Sequence, residues 1–500
     1  MNKKYLFGVG IVAAAIAAFV WQYRLRFPFD DVFISFRYAE HLANGYGLVW
    51  NIGGAHTEGY TNFLFILLLA VVRLCTTHLL AAAQAIGVLS TIVTGMLIFQ
   101  IASRVRNVKI GFLAAAFYFL TPLTWINALS GMETSVFVML CICAICFVAS
   151  HRLFLAFYTL FLATLTRPEG GIFAGIIFFV LFVNGPFQRK MVLRGAAVFL
   201  LLTALFALWK WSYFGYVLPN SFYVKVLESN SSRSHLFPGL QYVRLFVTSM
   251  VVLIVLTLGI RRWRNAAILI SALSIAVLLL FYLFVLPLEG LYDRFLWPAF
   301  AMITILGAVG VHDLVERFHL RSMLVFAVTV VVCHLTVSCI TPRTRQSLAA
   351  HEEVWDKSMG GLISELQSFP HLDSLRFAYG DAGYVVYKSG VDHIDLFGLN
   401  DTHIAHARSI SERKKVLESE KPDILLLPIE RDGDDYKWIE DAYGLARDSA
   451  FLPLAITEAF PYPLAWVINT NSRYYNDCRT NIAQSLALPN SYLKPAPIIR

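Results

Sequence analysis

The chain has 500 residues, 57% of them hydrophobic and 15% charged, with a mean hydropathy of +0.62. No ordinary soluble domain of this length has that composition, so the chain reads as a polytopic membrane protein. Its net charge of +8 fits basic cytoplasmic loops and contact with anionic lipid, and no polar stretch interleaves basic and aromatic residues, which argues against a nucleic-acid partner.

Lys3 and Lys4 precede an apolar run that continues through Trp21 without a small-x-small cleavage site, so the first segment reads as a retained span. With both lysines held inside, Asp30 and Asp31 of FDDVFISFRYA emerge outside. Later apolar runs at 79–101, 110–126, 135–149, 153–165, 171–183, 195–214, 243–260, 266–286, 298–311 and 323–340 are expected to span. The basic loops SRVRNVK, SHR, FQRKMVLR and RRWR, and the segment 317–321, then all fall on the cytoplasmic side. The segments SGMET, TRPEGG, GYVLPNSFYVK and EGLYDRFLWP, and everything after Thr341, fall outside. The apolar stretch 61–78 is too short for this parity and is expected to be a re-entrant or interfacial helix, leaving about eleven full crossings.

After Ile340 the text turns mixed. It is helix-like over 352–369 and strand-like at LRFAYG, YVVYKS and DILLLPI, with Gly, Asp and Pro breaks between. The expected organisation is a transmembrane domain over 1–340, with a functional first external loop at 27–61, and an extracytoplasmic α/β domain over 341–500. The tail contains no Walker loop and no GxGxxG. Cys141, Cys143 and Cys146 lack His or carboxylate company and suit helix packing, and Cys478 is the tail's single cysteine.

Paired acids at a bilayer surface suit a reaction in which a hydroxyl loses a proton, because a neighbouring negative charge and partial desolvation raise at least one pKa. Helix N-capping explains Asp30 and Asp31 equally well. Arg37, Arg167, Lys225 and Arg294 stand on the same side and could meet a phosphate, although interfacial snorkelling accounts for any one of them alone. Glu58, Tyr60 and Asn62 could bind sugar hydroxyls or close a turn. Ion pairing is the expectation for Glu133 and Glu169. Asp381, Asp395, Asn400 and Asp401 could contact an acceptor, and turn chemistry explains them more simply. His403 and His406 have no third ligand at useful spacing, so no metal site is expected.

The first-loop string FDDVFISFRYAEHLANGYGLVWNIGGAHTEGYTNF resembles that of the GT-C fold glycosyltransferases, in particular the arabinofuranosyltransferase-like group that includes a mycobacterial terminal arabinofuranosyltransferase. The resemblance continues through SGMETSVF, LTRPEG, LPNSFYVK, YDRFLWP and GDAGYVVYKSGVDHIDLFGLND, covering nearly the whole chain in order. It implies a mostly α-helical GT-C membrane domain with a C-terminal extracytoplasmic α/β domain, placed in a bacterial inner membrane with its active site facing the periplasm. The implied donor is a polyprenyl-phosphate sugar, decaprenyl- or undecaprenyl-phosphoryl arabinofuranose, and the acceptor is an extracytoplasmic glycan, lipid-linked saccharide or protein. By resemblance the catalytic carboxylate is Asp30 or Asp31, with Asp30 favoured as base and Asp31 as orienter. Asn220, Tyr223 and Tyr292, in the matched segments, join Glu58, Tyr60, Asn62 and Asp381 as sugar or acceptor contacts. Whether a divalent cation assists, and whether the anomeric centre inverts, are left open by the residues. The competing readings are a GT-C enzyme moving a hexose or aminosugar, and a transporter that binds the same lipid without breaking it. The transporter would need paired gates and internal repeats that the sequence does not display.

Overall fold

The computed structural model describes residues 3–23, 28–184, 189–224, 237–261, 263–285, 293–319, 323–340, 359–407, 409–432, 435–438, 449–457, 463–488, 493–496 and 499. In chain order the helices are α1 (Lys3–Trp21), α2 (Val32–Ala43), α3 (Phe63–Arg73), α4 (Leu79–Val105), α5 (Val108–Leu120), α6 (Pro122–Leu129), α7 (Thr134–Ala149), α8 (Leu153–Thr166), α9 (Gly170–Asn184) and α10 (Arg189–Phe214). There follow α11 (Leu240–Ser249), α12 (Val251–Thr257), α13 (Ala266–Phe284), α14 (Trp297–Arg317), α15 (Met323–Ile340) and α16 (Gly360–Gln367). The tail then runs β1 (Arg376–Tyr379), α17 (Tyr384–Ser389), β2 (Asp392–Asp395), α18 (Thr402–His406), α19 (Ile410–Glu420), β3 (Ile424–Asp432), β4 (Asp435–Trp438), β5 (Phe451–Thr457), β6 (Leu464–Asn469), α20 (Tyr475–Leu486) and β7 (Leu493–Pro495).

The chain divides into two compact units, one of residues 1–29, 61–212 and 231–349, the other of residues 30–60, 213–230 and 350–500. The segment 30–60 thus folds with the tail.

The first unit is helical. Among the described residues, five of its helices, α1, α4, α10, α13 and α14, are long and apolar enough to cross a bilayer, and α3, α7, α8, α9 and residues 325–337 of α15 are shorter apolar helices. The 11 residues of α3 reach about 16 Å, roughly half of a bilayer's hydrocarbon core, as its short apolar text predicts. Two runs expected as single spans are broken instead. The run 110–126 becomes α5 and α6, bent by 59°, because Pro122 offers no N–H and drives Thr121 out of helical geometry, to a ψ of 120°. The run 243–260 becomes α11 and α12, bent by 78°, with Met250 at φ −104° and ψ 7° between them. At the centre of this unit α14 is buried continuously from Trp297 to Val311, the pattern of a helix apolar on every face. By contrast α10 turns Leu200, Leu201, Leu205 and Leu208 outward, a face that lipid would cover.

The second unit is built on a seven-stranded sheet in the order β2-β1-β3-β6-β5-β7, with β4 paired to β3. β2, β1 and β3 are parallel, while β6, β5 and β7 add antiparallel. The strand-like texts LRFAYG and DILLLPI are β1 and β3, and 360–367 of the helix-like stretch is α16, the text from 352 to 358 lying outside the described residues. YVVYKS, expected to be a strand, is the helix α17. Its β-branched and aromatic residues favour a strand, but they stand between Gly383, which starts the helix, and Gly390, whose φ of +73° ends it in the left-handed conformation. β1-α17-β2 is therefore a parallel crossover, and the turns leaving β1 and β2 lie at the carboxyl ends of parallel strands, where α/β sheets place their sites.

The helix α2 packs on this crossover. Phe33 lies edge-on to Tyr384, ring centroids 4.8 Å apart, and Phe36 meets Tyr387 at 5.9 Å. β2 is an edge strand, and Asn51 closes it: its amide donates to the His393 carbonyl at 2.9 Å and its oxygen accepts the His393 N–H at 3.2 Å.

Candidate active site

Asp30 and Asp31 open α2, but neither plays the capping role their position suggests. Asp31 occupies the N-cap and makes no side-chain bond to the helix; the backbone carbonyls of Asp30 and Asp31 accept the Phe33 and Ile34 N–H groups instead. The Asp30 carboxylate turns to the tail, where its Oδ1 accepts the Tyr384 N–H at 2.8 Å. One residue earlier, the Gly383 N–H donates to Asp381 Oδ1 at 3.2 Å. Successive amides of one turn thus hold two carboxyl groups within hydrogen-bonding reach of each other. Gly383 is what permits this: a Cβ built there would lie 1.5 Å from Asp30 Oδ2. Burial, and then the Asp381 charge, push the Asp30 carboxyl well above the usual carboxylate range. Burial also raises Asp381, against the hydrogen bonds it accepts.

Around this pair the second unit is tightly bonded. The Arg37 guanidinium donates to the carbonyls of Trp50 at 2.8 Å, Val391 at 2.9 Å and Val386 at 3.4 Å, and to Asn51 Oδ1 at 2.9 Å. It also lies 4.6 Å from the Trp50 ring centroid. Its donors join α2 to the β1-α17-β2 crossover. The Trp50 Nε1–H donates to His393 Nδ1 at 3.1 Å, and His393 Nε2–H donates to the Tyr379 carbonyl at 3.0 Å. Asp395 accepts from the amides of Phe397, Gly398 and Asn400 and from the Asn400 side chain. Asp401 caps α18 through the Ile404 N–H at 2.9 Å. Glu58 is buried and its carbonyl accepts the Asn220 N–H at 3.0 Å, while Asn220 Nδ2 reaches Thr402 Oγ1 at 3.3 Å. Tyr60 is buried against Tyr38, centroids 4.7 Å apart. Tyr223 packs on His406 at 4.1 Å, and Tyr216 stacks on the same ring at 4.5 Å.

The first unit holds its own polar cluster. Arg167 donates to Glu133 Oε1 at 3.0 Å and to Glu169 Oε1 at 2.9 Å, and Asn62 Nδ2 donates to Glu133 Oε2 at 3.1 Å. Burial raises the Glu169 carboxyl, but the adjoining Arg167 charge together with the hydrogen bonds from Arg167 and Tyr282 outweighs it and brings the group down to about 2. The ion pairing expected of both glutamates is present. Arg294 lies 4.3 Å from the Phe29 ring centroid and 4.9 Å from that of Phe295, a ring that Arg167 also faces at 4.6 Å. Lys225 and Tyr292 lie outside the described residues.

ArnT from Cupriavidus metallidurans superposes on this chain with a TM-score of 0.61 at 13% identity, over 92% of this chain and 98% of ArnT. The same protein bound to undecaprenyl phosphate gives 0.61 at 12% identity, over 91% and 97%. The oligosaccharyltransferase AglB from Archaeoglobus fulgidus, in complex with an inhibitory peptide and a dolichol-phosphate, gives 0.56 at 13% identity, over 94% of this chain and 75% of AglB. The chain has the GT-C fold. A family model described as Domain of unknown function (DUF8728) matches residues 358–474 of the chain, the part that carries strands β1 to β6. No curated protein matches the sequence.

Two features of this site escape sequence reasoning. Asp381, expected among the acceptor contacts, lies against Asp30; two acids so far apart in sequence give no signal that they meet. His393 sits in a strand as a lone histidine, and nothing in DHID marks it as the acceptor for Trp50. Arg37, expected to meet a phosphate, has its guanidinium engaged within the second unit by backbone carbonyls.

Proposed function

We propose that this protein is a membrane glycosyltransferase that takes a sugar from a polyprenyl-phosphate donor and gives it to an extracytoplasmic acceptor, with arabinofuranose as the sugar. The observation that carries the reading is Asp30, a carboxylate on the first polar segment after α1, fixed by the Tyr384 amide in a chain with the fold of ArnT. Two proteins of similar fold were solved with undecaprenyl phosphate or dolichol-phosphate bound, which supports a lipid-linked donor. The first-loop and tail motifs quoted above support the pentofuranose. The sidedness of the basic loops supports a periplasmic site in the inner membrane.

In this mechanism Asp30 removes the acceptor hydroxyl's proton as the oxygen attacks the anomeric carbon, and polyprenyl phosphate leaves with the electron pair. Phosphate is a good leaving group, so the departing charge needs a fixed cation more than an acid. Of the cations expected to meet it, we assign Arg294, whose guanidinium lies against the Phe29 and Phe295 rings, to the phosphate. Asp31 orients the acceptor, and a single displacement inverts the centre.

Asp30→Asn is expected to lower transfer from synthetic decaprenyl-phosphoryl arabinofuranose by about 100-fold or more in purified, donor-supplied membranes, with a smaller loss for Asp31→Asn. Normal transfer by both variants would remove the assignment. Release of free polyprenyl phosphate on adding acceptor separates transfer from transport, and mass analysis of surface glycans after deletion identifies the sugar.

A further inference from the structure

The turn that follows β1 brings a second acid to the base. Asp30 and Asp381 are each tied to a backbone amide of that turn, Tyr384 and Gly383 respectively, and the absent side chain of Gly383 lets the Asp30 carboxyl enter. Two carboxylates at this range repel when both are ionised and attract strongly when one carries a proton, since the acid then donates to the carboxylate.

We propose that Asp381 is a positioning residue for the transfer, receiving in a carboxylic acid–carboxylate hydrogen bond the proton that Asp30 takes from the acceptor. This rests on the glycosyltransferase reading and adds to it the partner of the base. The step balances: the acceptor O–H bond breaks, its proton bonds to Asp30 and is shared with Asp381, and the acceptor oxygen forms the new glycosidic bond. The anomeric C–O bond to phosphate breaks, with its electron pair leaving on polyprenyl phosphate, and the proton later passes to water. Asp381 makes Asp30 a stronger base by disfavouring its ionised form, and it stabilises the proton once moved. The raised Asp30 carboxyl agrees with that role. Asp31 adds to the upward push from its own position. The other ionisable side chains on the elements that pack here are Arg37, Tyr38, Glu40 and His41 of α2 and Tyr384, Tyr387 and Lys388 of α17. Arg37 is engaged with carbonyls, and Glu40 accepts the Tyr387 hydroxyl at 3.0 Å.

The test uses the full chain in nanodiscs. Asp381→Asn keeps the oxygen that accepts the Gly383 N–H, so the turn survives while the charge goes. Infrared pH titration assigns the Asp30 carboxyl stretch by its loss in Asp30→Asn. That band is expected to titrate about one pH unit or more lower in Asp381→Asn than in wild type. The acid limb of the pH–rate profile, read as undecaprenyl phosphate released from synthetic undecaprenyl-phosphoryl arabinofuranose in envelope membranes, moves down with it, and the plateau falls about 10-fold. Gly383→Ala, which displaces the Asp30 carboxyl by contact, gives the same downward shift. An Asp30 band that titrates unchanged in Asp381→Asn overturns the inference, as does lost activity with an unmoved acid limb. If instead Asp30→Asn transfers sugar normally, the assignment of Asp30 as the base fails, and if the wild type releases no polyprenyl phosphate on adding acceptor the glycosyltransferase reading fails, while the infrared titration still decides whether the two acids share a proton.

Discussion

His393 and Asp395 stand two places apart on β2 and respond to pH in opposite directions. Burial, with Arg37 nearby, brings His393 down to about 3, so the ring stays neutral and Nδ1 remains free to accept from Trp50. Its folded value lies below the ordinary 6.5, so it contributes stability that is lost as pH falls from about 6.5 towards 3. Burial lifts Asp395 up to about 6 against the hydrogen bonds it accepts. A carboxyl raised on folding contributes stability at low pH that is lost as pH rises from about 4 through 6. Between those limits the two contributions oppose each other, each changing by about 1.4 kcal/mol per pH unit at most. His393→Asn removes one of them, so its melting temperature, relative to wild type, should rise between pH 6 and pH 4.5; parallel profiles would show that His393 is not held neutral. Arg37 offers a second test. Arg37→Ala leaves several buried carbonyls without their donor and should cost about 3 kcal/mol or more, and Arg37→Lys should recover little because an ammonium cannot reproduce the planar fork. Hydrogen exchange across 376–395 reads both. Single-residue chemistry was legible where partners lie close in sequence or share a motif: Arg167 and Glu169 of LTRPEG pair as expected. It was hidden where partners are remote, as with Asp30 and Asp381, because a sequence written in one dimension carries no mark of a contact between two like charges.

Among the elements, hydropathy located the helices and missed their breaks. The apolar text 110–126 reads as unbroken until Pro122 is weighed, and the bend near Met250 has no proline to announce it. α17 is the converse case, where local caps overrode strand propensity. One crossing shows how closely these helices meet. A Cβ placed on Gly310 of α14 would fall 1.9 Å from the Leu256 carbonyl oxygen of α12, so only glycine allows the backbones this approach. Gly310→Val must separate the two helices, and a loss on the order of 2–4 kcal/mol is expected, seen as a lower unfolding temperature in detergent. A melting temperature within a degree of wild type would show that the helices part without cost.

For the molecule as a whole, fold class was legible because mean hydropathy and the sidedness of basic loops are properties of the entire chain and survive errors in any one segment. The division into units was less so: Asp30–Tyr60 reads as a loop of the membrane domain, yet it folds with residues after 350, through bonds that only the folded chain reveals. Sidedness itself can be tested. In a background lacking the exposed Cys75 and Cys333, Glu418→Cys on α19 should react with a membrane-impermeant maleimide in intact spheroplasts, and Lys109→Cys only after lysis. The reverse pattern would invert every loop. One last consequence follows from the Tyr384 amide that steadies Asp30 from 354 positions downstream. During synthesis the acid leaves the ribosome early and its anchor very late, so a growing or prematurely stopped chain carries an unarmed centre. Until that amide is made, the Asp30 carboxyl lacks the partner that fixes it.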